Sequence, residues 1–250
     1  MYVILQAGKT PADAATLAFR WPAKWQFSQN LVEVLRTNDG IIYRAFINSA
    51  VLTVSSVLIT VVLAAMVGYV LQRKPSRLNP VINFFVLAGL IVPPAVVPTI
   101  WVLQGLNLFK TMPGMILIEA TLGLSFNILL FRAFVATVPR ELDEAAVLDG
   151  TGPIRLFFSV ILPLLRPVVV TVVVVQAVAV FNDFSGPLYF LPGDENATVQ
   201  LTLYHFQGQN LSFYNLLFMD ILLITIPPLV MYVFFNRQIV AGLTSGAVKG

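Results

Sequence analysis

Residues 138–167 read VPRELDEAAVLDGTGPIRLFFSVILPLLRP, and their middle, EAAVLDGTGP (144–153), is polar sequence lodged between two long apolar neighbours. Pro139 suits a first helical turn, and Glu141, Asp143 and Glu144 suit the positive end of a helix dipole. Leu142, Ala145, Ala146 and Asp149 then fall at helical spacing. They are expected on one side, with the two alanines forming a shallow spot that another surface can approach. Gly150 can take the left-handed conformation that ends a helix. Thr151 and Gly152 make the corner, and Pro153 opens a second helix carrying Ile154, Phe157, Phe158 and Ile161, which Pro163 is expected to stop. A solvated connector would need neither the two phenylalanines nor a fixed corner. Two readings stand: an amphipathic segment resting on lipid headgroups, and, preferred, a docking knob for a soluble partner.

The flanks decide the fold class. The chain has 250 residues, 58% hydrophobic and 11% charged, with a mean hydropathy of +0.85. Soluble domains lie near about 45–50% apolar and about 25% charged, so this chain is not built for water. Apolar runs recur at 46–71, 81–103, 114–135, 165–184 and 216–236. Each is long enough, at ~1.5 Å per helical residue, to cross a hydrocarbon layer of about 30 Å. The sequence therefore predicts an all-α integral membrane protein with five spans. Alternate connections place Arg73, Lys74, Arg77, Arg132, Arg140, Arg155, Arg166, Arg237 and Lys249 on or near one side. Only Arg36, Arg44 and Lys110 lie close to a span on the other. Basic residues favour the cytoplasmic side, so 139–166 and the tail after 236 are expected there.

Individual spans carry further signals. FINSAVLTVSSVLITVVLAAMVGYVL (46–71) is rich in Ser, Thr, Ala and Gly, which let helix backbones approach closely in lipid, and it is expected to pack inside a bundle. The second run holds Pro93, Pro94 and Pro98, each lacking an amide donor, so a kink or break is predicted there. That break is either inert or bends the chain around a pathway. Ionisable groups at membrane depth are costly and tend to face a cavity or a partner. Glu119 and Asn127 in the third run, and Asn182 with Asp183 at the end of the fourth, are the candidate pathway residues, as against a Glu119 that reaches the interface and an Asp183 that caps a helix. The fifth run begins near Asp220.

Some chemistry is excluded outright. There is no cysteine and a single histidine, His205, so neither thiolate chemistry nor a multi-histidine metal cluster is available. No nucleophile stands with a base, and no G-x-x-x-x-G-K-[ST] loop is present to cradle nucleotide phosphates.

The segment from Glu144 closely resembles the EAA loop of ABC importer permeases, with Glu144, Ala145, Ala146, Asp149, Gly150, Phe157, Leu162, Pro163 and Pro167 at matching positions. Thr151 replaces the usual alanine. The tail FFNRQIVAGLTSGAVKG and the stretch FNDFSGPLYFL are similar to the carbohydrate, maltose-type subgroup, with Phe181 where a tryptophan is usual. The resemblance covers about residues 35–250. It implies a type I importer bundle working with a cytoplasmic ABC ATPase dimer, a second permease subunit and an extracytoplasmic solute-binding protein, in the bacterial inner membrane. It implies no cofactor of the chain's own and no nucleic-acid partner. Glu144, Ala145, Ala146, Asp149, Gly150, Phe157 and Pro163 would couple to the ATPase, and the cargo would be a sugar or sugar derivative. Such permeases usually have six spans. MYVILQAG (1–8) is then expected to be the stub of a first helix, within an outer segment 1–45 that precedes the permease domain 46–236 and a cytoplasmic tail 237–250. The rival from the residues alone is an ion-gradient transporter or channel built on Glu119, Asp183 and Asp220.

Overall fold

A computed structural model of the chain describes residues 1–206 and 213–245, with the side chains of His205 and of 237–245 left out. Arg237 and the tail 237–250 therefore lie outside the described side chains, and Lys249 outside the described residues altogether. Among the described residues the regular elements are all helical. They are α1 Tyr2–Ala7, α2 Pro11–Ala15, α3 Phe27–Arg36, α4 Ile41–Arg73, α5 Asn79–Ile91, α6 Val96–Gly105 and α7 Met112–Val135. There follow α8 Glu141–Leu148, α9 Pro153–Leu156, α10 Leu162–Leu164, α11 Arg166–Asn182, α12 Ser185–Phe190 and α13 Tyr214–Ser245. In lipid a backbone must satisfy its own polar groups, which is why apolar runs rich in valine and isoleucine are helical here.

The five apolar runs do not become five straight helices. Three segments are long and apolar enough to cross a bilayer: Phe27–Arg73, Met112–Val135 and Tyr214–Asn236. A fourth crossing is available in Pro153–Leu164 with Arg166–Asn182, a pair bent by 80°. The run at 81–103 is divided into α5 and α6, of 13 and 10 residues. Its last α5 bond is from Val92 N to Ala88 O, at 2.8 Å. Pro93 and Pro94 then offer no amide to continue the ladder. Pro98 sits in the first turn of α6, where no amide is needed. Two boundaries move outward: α4 starts at Ile41, preceded by the left-handed residues Asn38, Asp39 and Gly40, and 27–36, expected as part of a loop, is helical.

The chain divides into two compact units, 1–53 with 99–115 and 180–231, and 54–98 with 116–179 and 232–250. In the first, Ala7, Val34, Ile42, Phe206, Leu216, Leu217 and Met219 form a buried cluster. Asn30 locks it by donating to Ala7 O (2.8 Å) and Lys9 O (2.9 Å) while accepting from Asn215 Nδ2 (2.9 Å). Asp220, fully buried on α13, accepts from Thr202 Oγ1 at 2.8 Å.

The second unit is organised by a seam between α4 and α7. Ser56, Thr60, Ala64 and Gly68 recur every four residues and so stand in one stripe along α4. Ser56 Oγ lies 3.4 Å from Ile116 O and Thr60 Oγ1 3.3 Å from Ala120 O, and Ala64 is fully buried. At Gly68 the backbones come closest: a Cβ there would lie 2.9 Å from Arg132 N and Phe131 Cβ and 3.1 Å from Ile128 O. These are the small residues that the first apolar run advertised, used for close approach. Gly68→Ala should push the two helices apart and lower stability by about 1–3 kcal/mol. A melting curve in detergent identical to that of the parent protein would show that the seam has slack.

Candidate functional site: the elbow at residues 138–167

Acidic residues at its start and a glycine at its end make α8 a short, sharply bounded helix. Glu141, Asp143 and Glu144 occupy its first turn. At its end Gly150 has φ +77°, Thr151 N donates to Ala146 O (3.0 Å) and Gly150 N to Val147 O (3.0 Å). That pair of reversed bonds is a Schellman closure, and it fixes the angle at which the chain leaves the helix. Gly152 is extended and Pro153 begins α9, so the corner is built from the residues the sequence pointed to.

Two expectations need correction. Ala145 and Ala146 do not share a face: Ala145 is exposed, whereas Ala146 is 9% exposed and turned inward. Neighbours in a helix are about 100° apart, so a pair of adjacent alanines cannot make one flat spot. Nor does Pro163 stop the second helix. A single π-turn over 157–161, closed by Leu162 N to Phe157 O, widens the backbone just ahead of it, which eases the clash between a proline ring and the carbonyl four residues back. The chain turns later, between Leu164 and Arg166.

The elbow is held at its base by a clasp the sequence reading missed. Tyr69 and Arg73 are four residues apart on α4 and both grip Asp143. Tyr69 Oη donates to Asp143 Oδ1 at 2.7 Å, and Arg73 Nε lies 2.9 Å from Asp143 Oδ2 with both side chains largely buried. Arg73 Nη2 also donates to Val138 O at 2.6 Å. The signal was present as an i, i+4 Tyr/Arg pair at the end of a span, but its partner lies far along the chain. Phe157 is buried beneath Tyr69, with ring centroids 5.7 Å apart, and Phe158 packs edge-on against Phe157 at 5.0 Å. The second phenylalanine is partly exposed.

The outer surface is different. Glu144, Ala145, Val147, Asp149 and Gly150 are exposed, as is Leu148 at 87%. Pro163 is exposed too. A cleft of about 730 Å³ between the elbow and the end of α4 is walled by Lys74, Arg140, Glu144 and Leu148 among others. This face offers an apolar tip with acids beside it, on a stiff corner.

The pathway candidates are divided between the two units, Glu119 and Asn127 in one and Asn182 and Asp183 in the other. Asn127 is buried on α7, donating to Gly123 O (2.8 Å) and to Gln176 Oε1 of α11 (3.0 Å). The Gln176 amide lies against Gly123, where any Cβ would collide with it. Asn127 is thus a cross-helix tie whose partner, Gln176, went unnoticed in a run of valines. Glu119 is buried on the same helix, eight residues and so about 12 Å away. Asn182 and Asp183 belong to the other unit. Asn182 is exposed, and its Oδ1 accepts from Gln200 Nε2 at 3.3 Å. Asp183 accepts from Ser185 N (3.1 Å) and Gly186 N (3.0 Å), so it caps α12. Asp183→Ala should cost about 1 kcal/mol, a normal cap loss, with transport KM unchanged; a large KM rise without loss of stability would place it on the pathway instead.

Fold and elbow together define an all-helical membrane protein with one stiff polar projection between its apolar runs. The chain belongs to the family described as binding-protein-dependent transport system inner membrane component, whose model matches residues 60–244. It is 29% identical over 209 residues to the melibiose/raffinose/stachyose import permease protein MelC of Bacillus subtilis, covering 82% of this chain and 76% of that protein. It is 30% identical over 210 residues to the multiple sugar-binding transport system permease protein MsmG of Streptococcus mutans (82% and 76% covered). Among solved structures, a bacterial ABC transporter involved in the import of the acidic polysaccharide alginate superposes with a TM-score of 0.81. That match covers 94% of this chain and 88% of that one at 20% identity, a likeness of fold.

Proposed function

We propose that this chain is one permease half of an ATP-driven importer for a sugar or sugar derivative, and that its elbow faces the cytoplasm and seats a separate ATPase. Support for the cargo comes from relatives named for the import of melibiose, raffinose, stachyose and multiple sugars. For the seat, the carrying observation is the corner itself: an exposed tip at Leu148 on a helix whose end is closed at Gly150 and whose start is clasped at Asp143. Glu144 and Asp149 would meet the partner by charged hydrogen bonds, Ala145 would allow close approach, and Phe157 and the buried Ala146 would hold the tip's shape from within. Pro163 would serve the same base. Basic residues near the elbow support the cytoplasmic placement, which puts 1–45 outside as a segment ahead of the permease domain. Nucleotide hydrolysis then belongs to the partner. A partner can shift the permease between inward- and outward-open states only by binding the two unequally.

The chain has no cysteine, so Ala145→Cys creates a single exposed thiol on the tip. In the assembled, active transporter it should crosslink to the nucleotide-hydrolysing subunit, with a yield that changes when ATP is trapped. Capture of other chains only, in a transporter that still imports, would remove the seat from the elbow.

A further inference from the structure

In the outer segment, residues 17–27 form a rim fastened at many points. Tyr2 Oη donates to Leu17 O (2.8 Å), and Lys9 Nζ (2.6 Å) and Gln6 Nε2 (3.2 Å) donate to Ala18 O. Gln26 N donates to Gly8 O at 2.8 Å. Asp13 accepts from Ala23 N (3.2 Å) and from Arg20 Nη2 (2.8 Å). The Ala23 amide first, and then the Arg20 guanidinium, hold the Asp13 carboxyl below its ordinary value. Leu17 is held at φ +51°, a conformation that costs energy for a side-chain-bearing residue.

This fastening presents apolar rings outward. Phe19, Trp21 and Trp25 are 66%, 68% and 51% exposed, with the charged Arg20 and Lys24 between them. Trp21 and Trp25 lie 6.2 Å apart, ring centroid to ring centroid. Phe19 is tied to α13 by a chain of ring contacts. Phe19 stacks on Tyr2 at 6.1 Å, and Tyr2 meets Phe218 edge-on at 5.5 Å. Phe218 sits in the second turn of α13, where the membrane-spanning stretch Tyr214–Asn236 begins. Phe213, just before that helix, and Tyr43, in the first turn of α4, are also exposed.

We propose that 17–27 is an interfacial anchor, its Phe19, Trp21 and Trp25 rings resting in the headgroup layer of the leaflet at this end of α4 and α13. The indoles of Trp21 and Trp25, flanked by cations, suit that layer, with one edge apolar and the other wet, and Phe19 adds a purely apolar ring beside them. Rings left this exposed would otherwise be a liability in water, and a rim tied down this firmly has already met the ordering cost of lying flat. The inference rests on the membrane placement of α4 and α13 and is independent of what the elbow binds.

The test uses a nitroxide on Ala23→Cys, set between the two tryptophans, and separately on Lys24→Cys, in the otherwise cysteine-free chain within the assembled transporter in lipid nanodiscs. At position 23, collision with dissolved oxygen should exceed collision with a water-soluble nickel chelate several-fold, at a depth about 5–10 Å into the headgroup boundary. The label at 24 should read shallower. Two water-like labels would overturn the anchor. Labels shielded from both reagents would overturn it in favour of a protein partner, and water-like labels that lose mobility on adding oligosaccharide would assign the rings to ligand instead.

Discussion

Gly150→Ala is expected to reduce uptake and binding-protein-stimulated ATP hydrolysis by roughly 5–30-fold, the effect of about 1–2 kcal/mol of left-handed strain. A Cβ at Gly150 would meet nothing within 4 Å, so within this chain the loss is conformational and not steric. Gly150→Asn should lose less, because asparagine visits the left-handed region more readily. Activity is measured in proteoliposomes at matched amounts of permease. The order of the two variants decides the matter. If asparagine is the worse substitution, bulk at a docking surface governs coupling and the angle of the corner does not.

Asp143→Ala should be the most destabilising change at the elbow. It removes the counter-charge from a largely buried Arg73 and the acceptor of Tyr69 Oη. Breaking a buried pair from one side costs on the order of 3–5 kcal/mol, whereas replacing both partners by apolar groups can be nearly neutral. The triple variant Tyr69→Phe/Arg73→Met/Asp143→Leu, which replaces every partner in the clasp, is therefore expected to regain most of the lost melting temperature. An Asp143→Ala protein that melts with the parent would show that the clasp holds nothing in place.

What could be read from the sequence was what acts within a few residues. Gly150 ends α8 and Pro153 opens α9 because each imposes its backbone preference on its own position. Pro93 and Pro94 break the second apolar run for the same reason. What escaped depends on distance or on a neighbour's adjustment. Asp143 looked like a dipole-matching acid of the first turn, and its partners on α4 could not be found without the fold. Pro163 looked like a terminator because a π-turn ahead of it cannot be foreseen from residue types. Asn127 stood out as a polar residue in an apolar run, but its partner Gln176 on α11 could not be found without the fold. The start of α4 was placed too late because Tyr43 and Arg44 dilute the apolar count without interrupting the helix.

The clasp and the 80° bend together have a mechanical consequence. Beyond the short connection that joins it to α7, the elbow hangs from two further membrane helices: from α4 through Asp143 at its base, and from α11 through the turn at Leu165. A load on the tip near Leu148 is therefore shared among these suspension points instead of pushing one rod along its axis. It arrives as torque, and α4 and α11 must answer it together.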